Sequence, residues 1–461
     1  MNKFLSILIV VILAGALVLS GVIGCSYAEE PEETLVVYNW GDYIDEDVEA
    51  EFEEYYQSVT GKRLDLVYST FETNEIMLTT VEKGEEAIDL VCPSEYAIQK
   101  LMEGGFLQKL DFTKITTYSN VEAEIYHKVD QVFTDMVVAG ESEHQKMSDY
   151  FVPYMWGTLG ILYNTDYVTE SDLATGYGLL WNESANSDLA SKILMKDSIR
   201  DSYVAAVMYL KEEGRLPAGY EELSVQKLIN TVDDTLLGAV EEILLEQSDA
   251  LKGYEVDFGK AQMTSERAYV DLAWSGDALW AMEDADNLNY FVPESGGNVW
   301  FDGWCLLKSA QNAPAAYMFI EYLCRPDIAM RNAMAIGYTS GIAKDVLMNS
   351  PEALEILAEN EYDAEEYFLD ELRYPEIASD KLGVMKDFGA QSAATIEMWE
   401  RVKSSKQSNM WILWVSIAVV VGGLIAFGVY YFMNNRSKQF VRLVKTREEL
   451  EAEEKALDNK R

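Results

Sequence analysis

Between Leu35 and Gly105 the chain alternates three times between a short apolar run and a segment with apolar side chains at helical spacing, and few folds accommodate that order. Leu35-Val-Val-Tyr38, Leu64-Asp-Leu-Val-Tyr68 and Ile88-Asp-Leu-Val-Cys92 are strand-like. Val48, Phe52, Tyr55 or Tyr56 and Val59 precede Gly61 at helical spacing; Glu75–Val81 is a second helix, and Tyr96–Met102 a third, closed by Gly104-Gly105. The order βαβαβα with apolar strands predicts an α/β fold, a parallel sheet covered by helices. Ligands of such sheets bind beyond the strand C-termini. At about 100–200 residues per domain, the 461 residues allow two or three units, and with 49% apolar residues each can bury a core.

The strand ends are aromatic and polar together: the first runs into Asn39-Trp-Gly-Asp-Tyr43, the third into Pro93-Ser-Glu-Tyr96. At Val152-Pro-Tyr-Met-Trp-Gly157 the pattern restarts with Gly160-Ile-Leu-Tyr163, which places a lobe boundary near residue 155. Acidic helical segments fill roughly 220–250, and Val270–Asp277 and Gly296–Asp302 are strand-like runs that each end in Trp and Asp.

The chain carries 79 acidic and 36 basic side chains, a net charge of −43, which excludes nucleic acid or an anionic surface as the first partner to consider. Phe4–Gly24 is uncharged and follows Lys3, the pattern of an export segment. Over residues 1–28 two processing routes stand open, a cleaved signal peptide or a retained signal anchor. Val22-Ile-Gly-Cys25 resembles a lipoprotein signal box with Cys25 lipidated, while Ser26-Tyr-Ala28 is an ordinary small-x-small cleavage site.

Met410–Met433 is a second uncharged run, of 24 residues. As a helix it is about 36 Å long, enough for a bilayer core of about 30 Å. Trp411 and Trp414 near one end and Tyr430 and Tyr431 near the other suit the two interfaces, and Arg436, Lys438, Arg442, Lys445 and Arg447 place 434–461 on the cytoplasmic side. The large middle segment is then extracellular or periplasmic, tethered to the cell membrane, and 4–433 has a net charge of −46. Cys25, Cys92, Cys305 and Cys324 show no CxxC spacing and imply no disulfide framework, and Cys92 fits a small buried hydrophobe. His127 and His144 are the only histidines, and HExxH, GxSxG and Walker-type loops are absent. Catalysis, a metal site and a cofactor are not expected.

The segments Tyr38-Asn-Trp-Gly-Asp-Tyr43, Asp89-Leu-Val-Cys-Pro-Ser94, Pro153-Tyr-Met-Trp-Gly157, Trp300-Phe-Asp302 and Arg325-Pro-Asp327 through Ile336-Gly-Tyr338 resemble the polyamine-binding proteins of ABC importers, the spermidine/putrescine type, over about 34–403. The resemblance implies a bilobal periplasmic-binding-protein fold of type II, two α/β lobes joined by a hinge that close on ligand. Residues 34–155 and about 303–345 are expected in the first lobe, and about 156–302 and 346–403 in the second. The transmembrane helix and inner tail depart from that family.

A polyamine carries two to four ammonium groups on a flexible apolar chain, so its site needs carboxylates for the charges and aromatic faces for the methylenes. Carried over by position, the resemblance implies Trp40 and Tyr43 as the aromatic wall of the first lobe, with Ser94 and Tyr96 beside it and Asp42 following a putrescine-type pattern. It implies Trp274 and Trp300 as stacking tryptophans, Asp277 and Asp302 as carboxylates for the ammonium groups, and Tyr338 as a further aromatic contact. Lys196-Asp-Ser-Ile-Arg-Asp201 aligns with an Asp-Ser-Pro-Arg-Glu-like motif, with Asp201 a shortened Glu and Ser198 neutral where some spermidine binders place Asp. The expected function is capture of putrescine or spermidine by a monomeric ectodomain and delivery to the permease subunits of an ABC transporter. The alternatives are a polyamine-sensing receptor subunit and a binder of another cationic amine such as betaine.

Overall fold

The computed structural model describes residues 31–458, with the side chains of 406–418, 428, 431–446 and 448 outside the description. The segment expected to direct export, including Cys25, therefore lies outside the described residues, as do 459–461. The first lobe opens with β1 (Glu33–Trp40), α1 (Val48–Thr60), β2 (Leu64–Phe71), α2 (Asn74–Lys83), β3 (Leu90–Val91) and α3 (Glu95–Glu103). In α1 the expected spacing holds at Val48, Phe52 and Tyr56, which are buried one turn apart, but Val59, expected on the same face, is exposed in the last turn; Gly61 ends the helix in the left-handed region at φ 76°. Phe52 is fully buried against Phe319 and Tyr322, and its truncation to alanine costs about 3–5 kcal/mol.

Two long strands then tie the molecule together, β4 (Val152–Asn164) and, after the second lobe, β9 (Gly297–Leu306). Between them come β5 (Ile193–Lys196), α4 (Ile199–Glu212), α5 (Asp234–Gln247), β6 (Leu251–Glu255), β7 (Val270–Trp274), α6 (Ser275–Asp284) and β8 (Leu288–Phe291). The main path of the sheet runs β2-β1-β3-β9-β4-β7-β5-β6. The pairs β1–β2, β1–β3, β7–β5 and β5–β6 are parallel, whereas β3–β9, β9–β4 and β4–β7 are antiparallel. The sheet is thus mixed rather than purely parallel, because β4 and β9 cross between the lobes in opposite directions.

The lobe boundary falls inside β4: Trp156 packs in the first core, and Leu159 in the second. Beyond β9 the division differs from the expected one. Leu347, Leu357, Phe368 and Val384 pack into the first core, while Leu372 touches the second-lobe cluster of Leu162 and Leu194 and from Met385 the chain joins the second core. Within this segment the helix Pro351–Glu359 packs against the helix Pro326–Ile336, and Arg373 reaches Glu283 of the second lobe at 2.7 Å. Two further expectations move: Asp277 lies in the first turn of α6 rather than at a strand end, and Asp302 lies within β9, which continues for four residues past it.

The last helix, α7 (Ser392–Asp458), starts in the second core through Met398, Trp399 and Val402 and continues through the expected membrane span and inner tail. Among the described residues no helix is long and apolar enough to cross a membrane. The span expected over 410–433 is therefore not borne out there, and the side chains of 410–418 and 431–433 lie outside the described residues. The three described cysteines, Cys92, Cys305 and Cys324, are buried and unpaired.

Candidate functional site

A cleft of about 520 Å³ opens between the lobes. It is lined by Trp40, Asp42, Tyr43, Ser94 and Tyr96 of the first lobe, by Ser198, Asp201, Trp274 and Asp277 of the second, and by Trp300, Asp302 and Tyr338 at the crossover. The fold thus brings every residue selected from the sequence motifs to one cavity at the C-terminal ends of β1, β5 and β7, where open α/β sheets place their ligands.

Trp40 ends β1 with its ring 4.6 Å from Phe71, and Asp42 turns the chain away in the left-handed region at φ 48°. Tyr43 is held from behind by Tyr154, whose hydroxyl donates to the Tyr43 carbonyl at 2.9 Å with the rings 5.6 Å apart. That contact gives the Pro153–Gly157 motif its structural reason. Asn74 Nδ2 donates to Ser94 Oγ and to Tyr96 Oη, both at 3.0 Å, so these hydroxyls are fixed by the first lobe itself.

Asp302 sits where β9 changes register against β4, between Asp302 and Gly303. It is 5% exposed; Oδ2 accepts from the Tyr43 hydroxyl at 2.9 Å, and Oδ1 has no hydrogen-bond partner among the described residues. Burial raises its carboxyl to about 7, partly offset by the Ser94 and Tyr43 hydroxyls. Glu95 lies behind it, raised to about 8 by burial, with Oε2 accepting the Phe301 N–H at 3.0 Å. A buried carboxylate oxygen without a donor is costly unless a cation or hydrogen-bond donor arrives.

The Tyr338 ring meets Trp300 edge-on at 5.1 Å and Tyr43 at 5.6 Å, so it stands between the first-lobe Tyr43 and the crossover Trp300. Two glycines make room. A Cβ on Gly276 would lie 2.1 Å from the Tyr338 ring, and one on Gly157 would lie 2.8 Å from Trp300 and 2.4 Å from Ser275 Oγ.

On the second lobe Ser198 caps α4, its Oγ accepting the Asp201 N–H at 3.3 Å. Burial raises the Asp201 carboxyl, with Ser198, Trp274 and Lys196 acting against that. Side chains that the motifs did not select also face the cleft: Lys196, Arg200, Glu255 and Lys260. Arg200 is buried with its guanidinium 3.5 Å from the Phe388 ring centroid and 5.0 Å from that of Tyr96 in the opposite lobe, and burial lowers it to about 10. Lys196 and Lys260 ion-pair with Asp277, which therefore has cations of its own. Lys196 ends the apolar run Ile193-Leu-Met-Lys196, so the rule that points to strand ends selects it too. Ten carboxylates against four basic side chains leave the lining strongly acidic. Among the described residues no cluster of three or more His, Cys, Asp or Glu could hold a metal, and His127 is exposed beside Glu124 at 3.3 Å.

Residues 50–355 match the family model described as bacterial extracellular solute-binding protein. The spermidine/putrescine-binding periplasmic protein of Salmonella typhimurium is 27% identical over 397 residues, covering 85% of this chain and 97% of that protein. Two solved structures are each 26% identical. One is the spermidine/putrescine ABC transporter substrate-binding protein PotD from Streptococcus pneumoniae, with a TM-score of 0.59 over 81% of this chain and 100% of that one. The other is a putative spermidine/putrescine ABC transporter from Listeria monocytogenes, with a TM-score of 0.62 over 80% and 98%.

Proposed function

Because the chain belongs to the bacterial extracellular solute-binding protein family, whose members bind rather than catalyse, we propose that it captures a polyamine in the interlobe cleft and delivers it to the permease subunits of an ABC transporter. The observation that carries the ligand class is Asp302 Oδ1, buried and without a donor, in a pocket walled by Trp40, Tyr43, Trp300 and Tyr338. An ammonium supplies what that oxygen lacks. The rings cover the methylenes beside it, at roughly 0.8 kcal/mol per buried CH₂, and an ammonium over a ring face adds about 0.5–2 kcal/mol. Asp42, Ser94, Tyr96, Ser198, Asp201 and Trp274 complete the wall, and Asp277 acts through the lysines that hold it.

In this reading α7 tethers the ectodomain. Val419, Val420, Leu424, Ile425 and Phe427 are 62–69% exposed on it, an apolar surface costly in water and suited to lipid. The tether keeps the binding lobes at a high effective concentration near the permease. Calorimetric titration of the full chain in detergent micelles tests the ligand class. Saturable binding of putrescine or spermidine, with none of glucose or glutamate, is expected; binding of a sugar or an acidic amino acid in place of every polyamine would overturn it.

A further inference from the structure

Lys196 is 1% exposed at the end of β5. Its Nζ lies 2.5 Å from Glu255 Oε1, 3.6 Å from Asp277 Oδ2 and 4.1 Å from the centroid of the Trp274 ring, and it donates to the Val256 carbonyl at 3.0 Å. Lys260 Nζ lies 3.1 Å from the other Asp277 oxygen and 5.6 Å from the Trp280 ring. An indole face, two carboxylates and a backbone carbonyl are what an alkylammonium ligand requires. At this end of the cleft an ammonium belonging to the chain already has all of them.

Burial alone would lower the Lys196 ammonium, but Glu255, Asp277 and Asp271 around it carry the net shift upward, so it stays charged. Asp302 differs: the hydroxyls of Tyr43 and Ser94 stand beside it, and it has no ion pair among the described residues. The cleft therefore has at the crossover a carboxylate with no ion pair among the described residues, and at the α6 end a carboxylate position filled from within by Lys196 and Lys260.

We propose that Lys196 sets the length of the ligand: its ammonium stands in for one amine of a polyamine, so that the cleft accepts a diamine seated at Asp302 and discriminates against triamines and tetramines. The inference rests on the polyamine reading above. A longer ligand that extends from Asp302 toward α6 places a further ammonium beside Lys196 and Lys260, where a like charge in a partly desolvated pocket is repelled, and selection by repulsion is a general route to specificity. Acidic side chains remain for the diamine's second amine at Asp201 and, toward the rim, at Asp42 and Glu75.

The test is calorimetric titration of the full chain in detergent micelles with putrescine, spermidine and spermine at fixed pH and salt. The wild-type chain is expected to bind putrescine at least tenfold more tightly than spermidine. Lys196→Met is expected to improve spermidine relative to putrescine by at least tenfold. Because that change leaves Glu255 without its partner, Lys196→Met/Glu255→Gln is measured alongside, keeps Asp277, and is expected to show the same change in ranking. A wild-type preference for spermidine, or an unchanged ranking in the variants, would overturn the length rule while leaving the polyamine reading in place. Failure of the wild-type chain to bind any of the three would overturn both.

Discussion

The Tyr43 hydroxyl donates to Asp302 Oδ2 at 2.9 Å across 259 positions of sequence, joining the end of the first strand to the crossover strand β9. This bond holds Oδ2 and leaves Oδ1, a buried atom, without a hydrogen-bond partner among the described residues. Asp302→Asn keeps the shape and removes the charge. It is expected to weaken putrescine binding at least tenfold in a calorimetric titration, because a charge-assisted contact becomes a neutral one. An unchanged isotherm would remove Asp302 from the ligand contacts.

The same carboxyl gives the site a pH dependence with a fixed sign. In the empty protein burial holds Asp302 at about 7, whereas an ammonium ligand requires the carboxylate. Below pH 7 binding has to expel a proton, so affinity is expected to fall by up to about tenfold per unit as the pH drops toward 5, and to level off above 7. The stability of the empty protein has the opposite slope. The folded carboxyl keeps a proton that the unfolded chain releases near pH 4, so this group's contribution declines as the pH rises from about 4 to 7. Glu95, held at about 8, keeps its own proton over most of that range. Titrations from pH 5.5 to 8.5 check the slope, and Asp302→Asn should flatten it.

Gly276→Ala tests the packing that places Tyr338. The new Cβ would stand 2.1 Å from the ring, and relieving that overlap costs about 1–3 kcal/mol. Alanine's better helix propensity returns at most about 1 kcal/mol. A fall of several degrees in the unfolding temperature is expected, together with weaker binding as the ring shifts against Trp300. Unaltered unfolding and binding would show that the ring yields without cost.

The proposed tether makes a topological prediction. An extracellular protease acting on intact cells is expected to release the bulk of the chain and leave a small membrane-bound fragment that carries Arg461. A protected bulk segment would overturn the orientation.

How legible the site was depends on which physical rule each residue obeys. Trp40, Tyr43 and Ser94 follow strand ends, and the alternation of apolar runs exposes strand ends directly. Asp302 was found by its Trp-Phe-Asp motif, but its position within a long strand was not, because a bulge between two antiparallel strands leaves no local sequence signal. Lys196 was passed over because a lysine after an apolar run resembles an ordinary solvent-facing strand end. Only the folding of Glu255 and Asp277 around it, from 59 and 81 residues further along the chain, buries it. The return of 346–384 to the first core was likewise invisible, since amphipathic helices state that they bury a face and not which core receives it.

If Asp302 holds the ligand as proposed, its position at the register shift would couple binding to closure. The two lobes join through β4 and β9, and the carboxylate that awaits a cation sits on the residue where their ladder breaks. Arg200 of the second lobe already reaches the Tyr96 ring of the first at 5.0 Å. A ligand bridging Asp302 to Asp201 should favour the closed arrangement by its differential contacts with both lobes. Small-angle scattering of the full chain is expected to show a smaller radius of gyration with saturating putrescine than without it, and no change for Asp302→Asn at the same ligand concentration. Equal radii for the wild-type chain with and without ligand, at a concentration where calorimetry shows saturation, would mean that the lobes bind as a rigid pair and that closure is not what a permease reads.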